Sequence, residues 1–580
     1  MVSTARSSRI NSAFLHERKV NDFALLFEEA SGPATCNGMG MANRILWMLC
    51  LLAFGGSTLS AQHITRGPYL QNANDNAISV LWRTDTPCTS RIRYGGSPGN
   101  LNQSVVDTTW TYNHRVRITG LSPYTQYYYA AGTATLDLEG DDSSHHFHTN
   151  PVPGTAQPIK IWALGDFGRG NVHEYNVRNS YSRLAKADRP ADVWLWLGDN
   201  AYDTGADSQY TQKVFNVFDS IFDSQIFWPT PGNHDYGSVN QNGLPPTHTG
   251  PYYSIVEVPA NGEAGGIASG GEMYYSFDYG NIHFISLNSE LGPWIHGANT
   301  PLTQWLETDL QTTQQPWKIV YFHQPPHSKG SHDSDNFWES TMASMRTNIM
   351  PIVERHGVDL VLSGHSHVYE RSKLMNGFYD WSFLYAPVFE VDGRSGDETL
   401  GEEYRKALSG TNANKGTVYV VAGNGASSYA WGALNHPMMV AGWGCDTCVG
   451  SLIIDVHNDT LRGKFYSSAG VVKDQFSIFK DLTVGSQPAD VPENGLKIWP
   501  NPFSDRLEFE IETKRSAQLS VTVSDMEGRK VWADELGKFA PGRHSFVLED
   551  LPADLPSGNY ILQIGDGIET WSHRIVKQSH

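Results

Sequence analysis

The 580-residue chain lacks any long run of Lys and Arg, and its formal net charge is −19. Duplex nucleic acids and anionic membranes are held by clustered cations, so neither is an expected partner. An anionic substrate would have to be drawn by something other than the overall field, and bound metal ions would serve. Long apolar runs are absent except for Ile45–Phe54, too short to span a bilayer comfortably, so no transmembrane segment is expected. Cysteine is scarce, with five in all. CxxC occurs once, at Cys445 and Cys448, and a zinc ribbon would need two further ligands. That pair either closes a small local loop or remains two thiols. Internal repeats are missing as well.

What is present divides into blocks. MANRILWMLCLLAFGGSTLSAQ, from Met41, has the charged start, apolar centre and small-residue end of a signal peptide, with cleavage expected before Gln62. Residues 1–40 fit poorly upstream of an export signal, which makes Met41 the expected start. Residues 1–61 are thus read as a doubtful extension plus signal peptide. From 63 to 150, short alternating runs such as AISVLW and RIRY lie between Gly, Pro and Asn turns, the pattern of a small β-sandwich. PVPGTAQP (151–158) is a linker. From 159 to 482, apolar β-rich runs alternate with helical patterns, predicting an α/β or mixed layered domain. From 494 to 580 short strands return, suiting a second small sandwich.

The apolar runs of the central block end in polar residues. In order these are Asp166 in GDFG, Asp199 and Tyr202 in GDNAY, Asn233 and His234 in GNHD, His323 in YFHQ, and His365 and His367 in GHSH. Singly, each has a structural reading as a turn former or a satisfied polar group. Together, five such ends in sequence mark one site, because α/β sheets bind ligands at the carboxyl ends of their strands. Carboxylate, amide oxygen and imidazole suit hard or borderline di- and trivalent metals. Seven ligands with one bridging carboxylate, for which Asp199 is the natural choice, half-fill two adjacent coordination spheres. Two adjacent metals form a clamp for in-line displacement at phosphorus.

The array D-x-G, G-D-x-x-Y, G-N-H-D, a lone His after an apolar strand, and G-H-x-H resembles the metallophosphoesterases, and more narrowly the purple acid phosphatases. The wider superfamily carries D-x-H at the first motif, where this chain has Gly168; the purple acid phosphatases use the Tyr of G-D-x-x-Y, matched by Tyr202. GLSPYTQYYYAAG (120–132) resembles a fibronectin type III-like domain, as in the larger members. The resemblance implies a multidomain fold: an N-terminal β-sandwich, a central αββα-layered metallophosphoesterase domain and a C-terminal small β-sandwich. It places Asp166, Asp199, Tyr202 and His367 on Fe(3+). Asp199, Asn233, His323 and His365 would hold a divalent neighbour, iron, zinc or manganese. His234 matches a substrate-contacting histidine and His332 one implicated as general acid, with Asn233 also at the substrate. The plant-type pattern has a further His after the latter, where this chain has Asp333. His327 is read as a loop residue, and His283 and Arg371 as structural.

WPNPF (499–503), GNY (558–560) and the ending HRIVKQ resemble the sorting domain of the type IX secretion system. The resemblance implies a secreted or cell-surface protein with the secretion machinery as partner. The expected activity is hydrolysis of small phosphate monoesters, with a metal-bound hydroxide attacking in line and His332 or His234 protonating the leaving alcohol. A phosphodiesterase or nucleotide-cleaving enzyme on the same metals is the alternative, and a secreted binding protein with an inactive enzyme domain is one of another class.

Overall fold

The computed structural model describes residues 62–580, apart from 237–249, 292–296, 411, 430–433, 481, 483–495, 500–502, 505, 514, 526–528, 549–550, 553–554, 568–569 and 579–580. The leader expected over 41–61 and most of WPNPF therefore lie outside the described residues. No helix among the described residues is long and apolar enough to cross a membrane.

The N-terminal part is built on two long antiparallel strands, Ala77–Gly95 and Gln103–Thr119, flanked by Ile64–Gln71 and Gln126–Gly132. Register shifts around Cys88 bend the long pair, so it folds over itself in a sandwich-like shape. Alternate side chains enter its core, where Trp82 stacks on His114 with ring centroids 4.7 Å apart. Tyr127, Tyr128 and Tyr129 lie in one of its strands, as sheet aromatics.

The central part contains two seven-stranded sheets. In one, Ile282–Ser286, Trp317–Tyr321, Leu360–Ser363 and Val418–Ala422 run parallel. In the other, Ile159–Leu164, Val193–Leu197 and Phe227–Thr230 do so. IKIWAL and VWLWL are buried along their whole length because these strands are covered on both faces, which is why they read as continuous apolar runs. Trp162 stacks on Tyr181 of the helix Val172–Ala187 at 3.7 Å, fixing a helix on the outer face of one sheet. Trp305 and Leu306 of the helix Pro301–Thr312 pack with Ile285 and Val320 on the other. The predicted helical pattern leading to Gly357 is a run from Ser340 to Arg355, interrupted by a π turn at Met345–Ile349.

The carboxyl ends of the two sheets are joined by hydrogen bonds. Gly165 N–H donates to Ala422 O at 3.0 Å, and His323 Nδ1–H donates to Leu197 O at 2.9 Å. At the amino end of Leu360–Ser363, buried Asp359 accepts from Lys406 Nζ at 2.8 Å and Lys480 Nζ at 2.6 Å. Both lysines belong to strands of the opposite sheet, so an ion triad closes that end of the layers. Arg371 is structural, pairing with Asp474. Cys445 and Cys448 form a disulfide, and Cys88 is a buried thiol.

The C-terminal part has a three-stranded and a four-stranded sheet around its own core of Phe509, Leu519, Val521, Leu562 and Ile564.

Candidate metal centre

Every proposed ligand sits on a turn just past a parallel strand, and three of those turns need unusual backbone. Asp166, Asp199 and His365 have φ of 58°, 51° and 64°. Asp tolerates this left-handed region better than most residues, and here it turns the side chains inward. Asp166 N–H donates to Gly198 O at 3.0 Å, and His365 N–H to Asp166 Oδ2 at 2.8 Å. The turns thus brace one another.

Tyr202 stands at the middle. Its hydroxyl oxygen lies 2.9 Å from Asp166 Oδ1, 2.9 Å from Asp199 Oδ2 and 3.1 Å from His367 Nε2. The Arg169 guanidinium lies over its ring, 3.6 Å from the centroid. Burial, then Asp166 and Asp199, push the phenol's pKa well above its ordinary value, with Arg169 in partial opposition. Gly168 makes the arrangement possible: a Cβ there would overlap the Asn200 carbonyl, and Gly168 O accepts from Tyr202 N–H at 2.8 Å.

The second half of the cluster is equally close. His323 Nε2 is 3.3 Å from Asp199 Oδ1 and 3.1 Å from Asn233 Oδ1. Its Nδ1–H is committed to the Leu197 carbonyl, which leaves Nε2 as the inward atom. Burial works against charge on this ring, but Asp199 and Asp166 outweigh it and hold its pKa well above the usual value. His365 Nε2 is buried with no hydrogen-bond partner. His367 Nδ1 lies 3.2 Å from Ser427 Oγ.

These residues fit a pair of metal ions. Donor atoms of Asp166, Asp199 and His323 all lie within 4.8 Å of one another, those of His365, His332 and Glu339 do likewise, and the His365 ring centroid is 5.0 Å from that of His323. Phenol, carboxylate, amide oxygen and imidazole are donors for hard and borderline cations.

His234 N–H donates to Asp199 Oδ1 at 2.8 Å, and its Nδ1–H to Asp203 O at 2.6 Å. The His332 ring packs on His365, centroids 3.8 Å apart, while Nδ1 lies 2.7 Å from Glu339 Oε1. Burial raises the Glu339 pKa, but His332 and His365 outweigh it and pull the carboxyl down to about 2. Asp333 pairs with Lys329 Nζ at 2.8 Å instead. His327 is fully buried against Phe378, Tyr419 and His436, with both nitrogens unpartnered.

Three contributors carried no signal in the reading of strand ends. Glu339 follows an irregular loop, and Arg169 is one residue past Gly168. Asp235 ends GNHD and accepts from Asn200 N–H at 3.0 Å, Gly232 N–H at 2.8 Å and Tyr210 O–H at 2.6 Å. Only its position in the motif could have marked it.

Three segments of the chain are similar to known families. Residues 159–369 match the calcineurin-like phosphoesterase family, 66–149 the purple acid phosphatase N-terminal domain, and 497–578 the secretion system C-terminal sorting domain. Purple acid phosphatase 15 of Arabidopsis thaliana is 27% identical over 311 residues, covering 49% of this chain and 53% of the relative. Purple acid phosphatase 21 of the same plant is 27% identical over 322 residues, covering 53% and 66%. The matches therefore span about half to two thirds of these relatives. A solved purple acid phosphatase from yellow lupin seeds has the same fold, with a TM-score of 0.55 at 20% identity over 71% of this chain and 74% of that one.

Proposed function

Because this chain joins a purple acid phosphatase N-terminal domain, a calcineurin-like phosphoesterase domain and a secretion sorting domain, and its homologues are purple acid phosphatases, we propose that it is an exported, metal-dependent hydrolase of phosphate monoesters. The observation that supports it most is the contact of one phenol oxygen with Asp166, Asp199 and His367. Asp166, Asp199, Tyr202 and His367 would hold Fe(3+). Asp199, Asn233, His323 and His365 would hold a divalent iron, zinc or manganese ion. When bound, the pair supplies positive charge against the phosphoryl group and acidifies water near it.

The chain's own residues do the rest. Leu197 O fixes the His323 ring, and Asp203 O fixes that of His234, so the second nitrogen of each has a set direction. A protonated His332 keeps one proton against Glu339 and offers the other, on Nε2, to the departing alkoxide. Glu339, drawn down by His332 and His365, remains ionised in mildly acidic solution and so keeps its place as the acceptor at His332 Nδ1. His332 is thus the leaving-group acid, and Asn233 and His234 face the phosphoryl group beside it.

The decisive experiment compares His332→Ala with the parent on esters of poor and good leaving groups. Loss of roughly 10²–10⁴-fold on the poor ones, with much smaller loss on activated esters, is expected. Equal losses would remove His332 from the acid role. A panel of monoesters and diesters separates this reading from a phosphodiesterase, which would prefer the diesters.

A further inference from the structure

A second group of possible ligands lies away from the phosphoesterase site, where the two N-terminal parts of the chain meet. His145 precedes the short strand His146–His148, Glu139 lies in the strand Asp137–Gly140, and Asp223 follows the helix Asn216–Phe222 of the central part. His145 Nε2 is 3.7 Å from Glu139 Oε1 and 3.6 Å from Asp223 Oδ1. All three donor atoms lie within 4.8 Å of one another.

Two details separate this cluster from ordinary surface acidity. The His145 residue is only 5% exposed, and its Nε2 is buried with no hydrogen-bond partner although it points between the carboxylates. The other nitrogen, Nδ1, is held 2.9 Å from Asp142 Oδ1. A carboxylate on Nδ1 fixes the tautomer that leaves the Nε2 lone pair free, the arrangement that orients histidines toward zinc. Asp142 is itself anchored by Ser144 N–H at 2.8 Å, so the orienting group is in place beforehand.

We propose that Glu139, His145 and Asp223 bind a divalent cation of the zinc type, which ties the N-terminal sandwich to the catalytic part. Bonds of 2.0–2.2 Å in tetrahedral geometry put donor atoms roughly 3.4 Å apart, close to the two nitrogen–oxygen separations present. One imidazole and two carboxylates leave one position for water, reached past Glu139, whose side chain is 39% exposed. Tyr129 O–H donates to Asp223 O at 2.9 Å, which holds the two parts in register around the site.

The test is the metal content of the full-length holoprotein after equilibration with zinc and desalting. Wild type should carry one more equivalent per chain than Glu139→Gln or His145→Gln, while phosphatase activity is unchanged in both. Glu139→Gln alters a partly exposed side chain, so it is the variant of record if His145→Gln folds poorly. The comparison is a difference between variants and does not depend on what the phosphoesterase site holds. Equal zinc in wild type and Glu139→Gln overturns the proposal and leaves protonated His145 as the bridge between the carboxylates.

Discussion

Tyr202 concentrates the chemistry of the proposed ferric side in one atom. Tyr202→Phe removes the oxygen shared by Asp166, Asp199 and His367 while keeping the ring beneath Arg169. The iron-loaded wild type should be purple from phenolate charge transfer; the variant should lose that visible band, with iron retained after desalting lower by at least ~10-fold. A colourless iron-loaded wild type would return Tyr202 to a packing role. His283 shows a different use of a buried imidazole. Its nitrogens lie 2.7 Å from Asp278 Oδ1 and 2.8 Å from Asp309 Oδ2. Burial disfavours its charge, yet the two carboxylates outweigh burial and raise its pKa to about 9. The folded value exceeds the unfolded value of about 6.5, so this contribution is complete below that pH and disappears as pH rises through the folded value. Denaturant unfolding should lose about 3 kcal/mol between the two pKa values, and His283→Gln should flatten that slope. An unchanged slope would mean that His283 is neutral.

At the scale of elements, the sheets were legible because VWLWL and IKIWAL are covered on both faces and must be apolar throughout. The residues proposed as ligands stand just past such runs, and their positions were legible for the same reason. What holds the turns was not. Asp235 lies in a readable motif, but its acceptance from Asn200, Gly232 and Tyr210 arises only when three turns converge. Asp235→Ala leaves those buried donors unpaired, each costing about 1–3 kcal/mol, and should impair metal retention without touching a proposed ligand; full retention would deny it this positioning role. The opposite end of the layers gives a control. Asp359→Ala strands Lys406 and Lys480 in the interior and should destabilise by about 3–5 kcal/mol in denaturant unfolding. Because this lies at the other end of Leu360–Ser363, the folded fraction should keep its metal and its turnover.

For the whole molecule, the block boundaries came from changes of pattern, whereas contacts between blocks could not be read. Glu139, His145 and Asp223 are spread over 85 residues, and no periodicity links them. The C-terminal part is different, because its core of Phe509, Leu519, Val521, Leu562 and Ile564 is a separate cluster. A chain ending at Leu482 should hydrolyse phosphate esters as the full chain does but should fail to reach the cell exterior, as cell fractionation would show. Loss of activity on that truncation would assign the C-terminal part a role in the fold of the enzyme.

Gly168 also limits how the site can be altered. With Asn200 O filling the place of a Cβ, no side chain can be added at 168 while the turn before Tyr202 stays where it is. Because Tyr202 N–H donates to Gly168 O, a shift of that turn also moves the tyrosine. Any enlargement at 168 thus acts on the phenol oxygen at a distance, through the main chain rather than through a contact of its own.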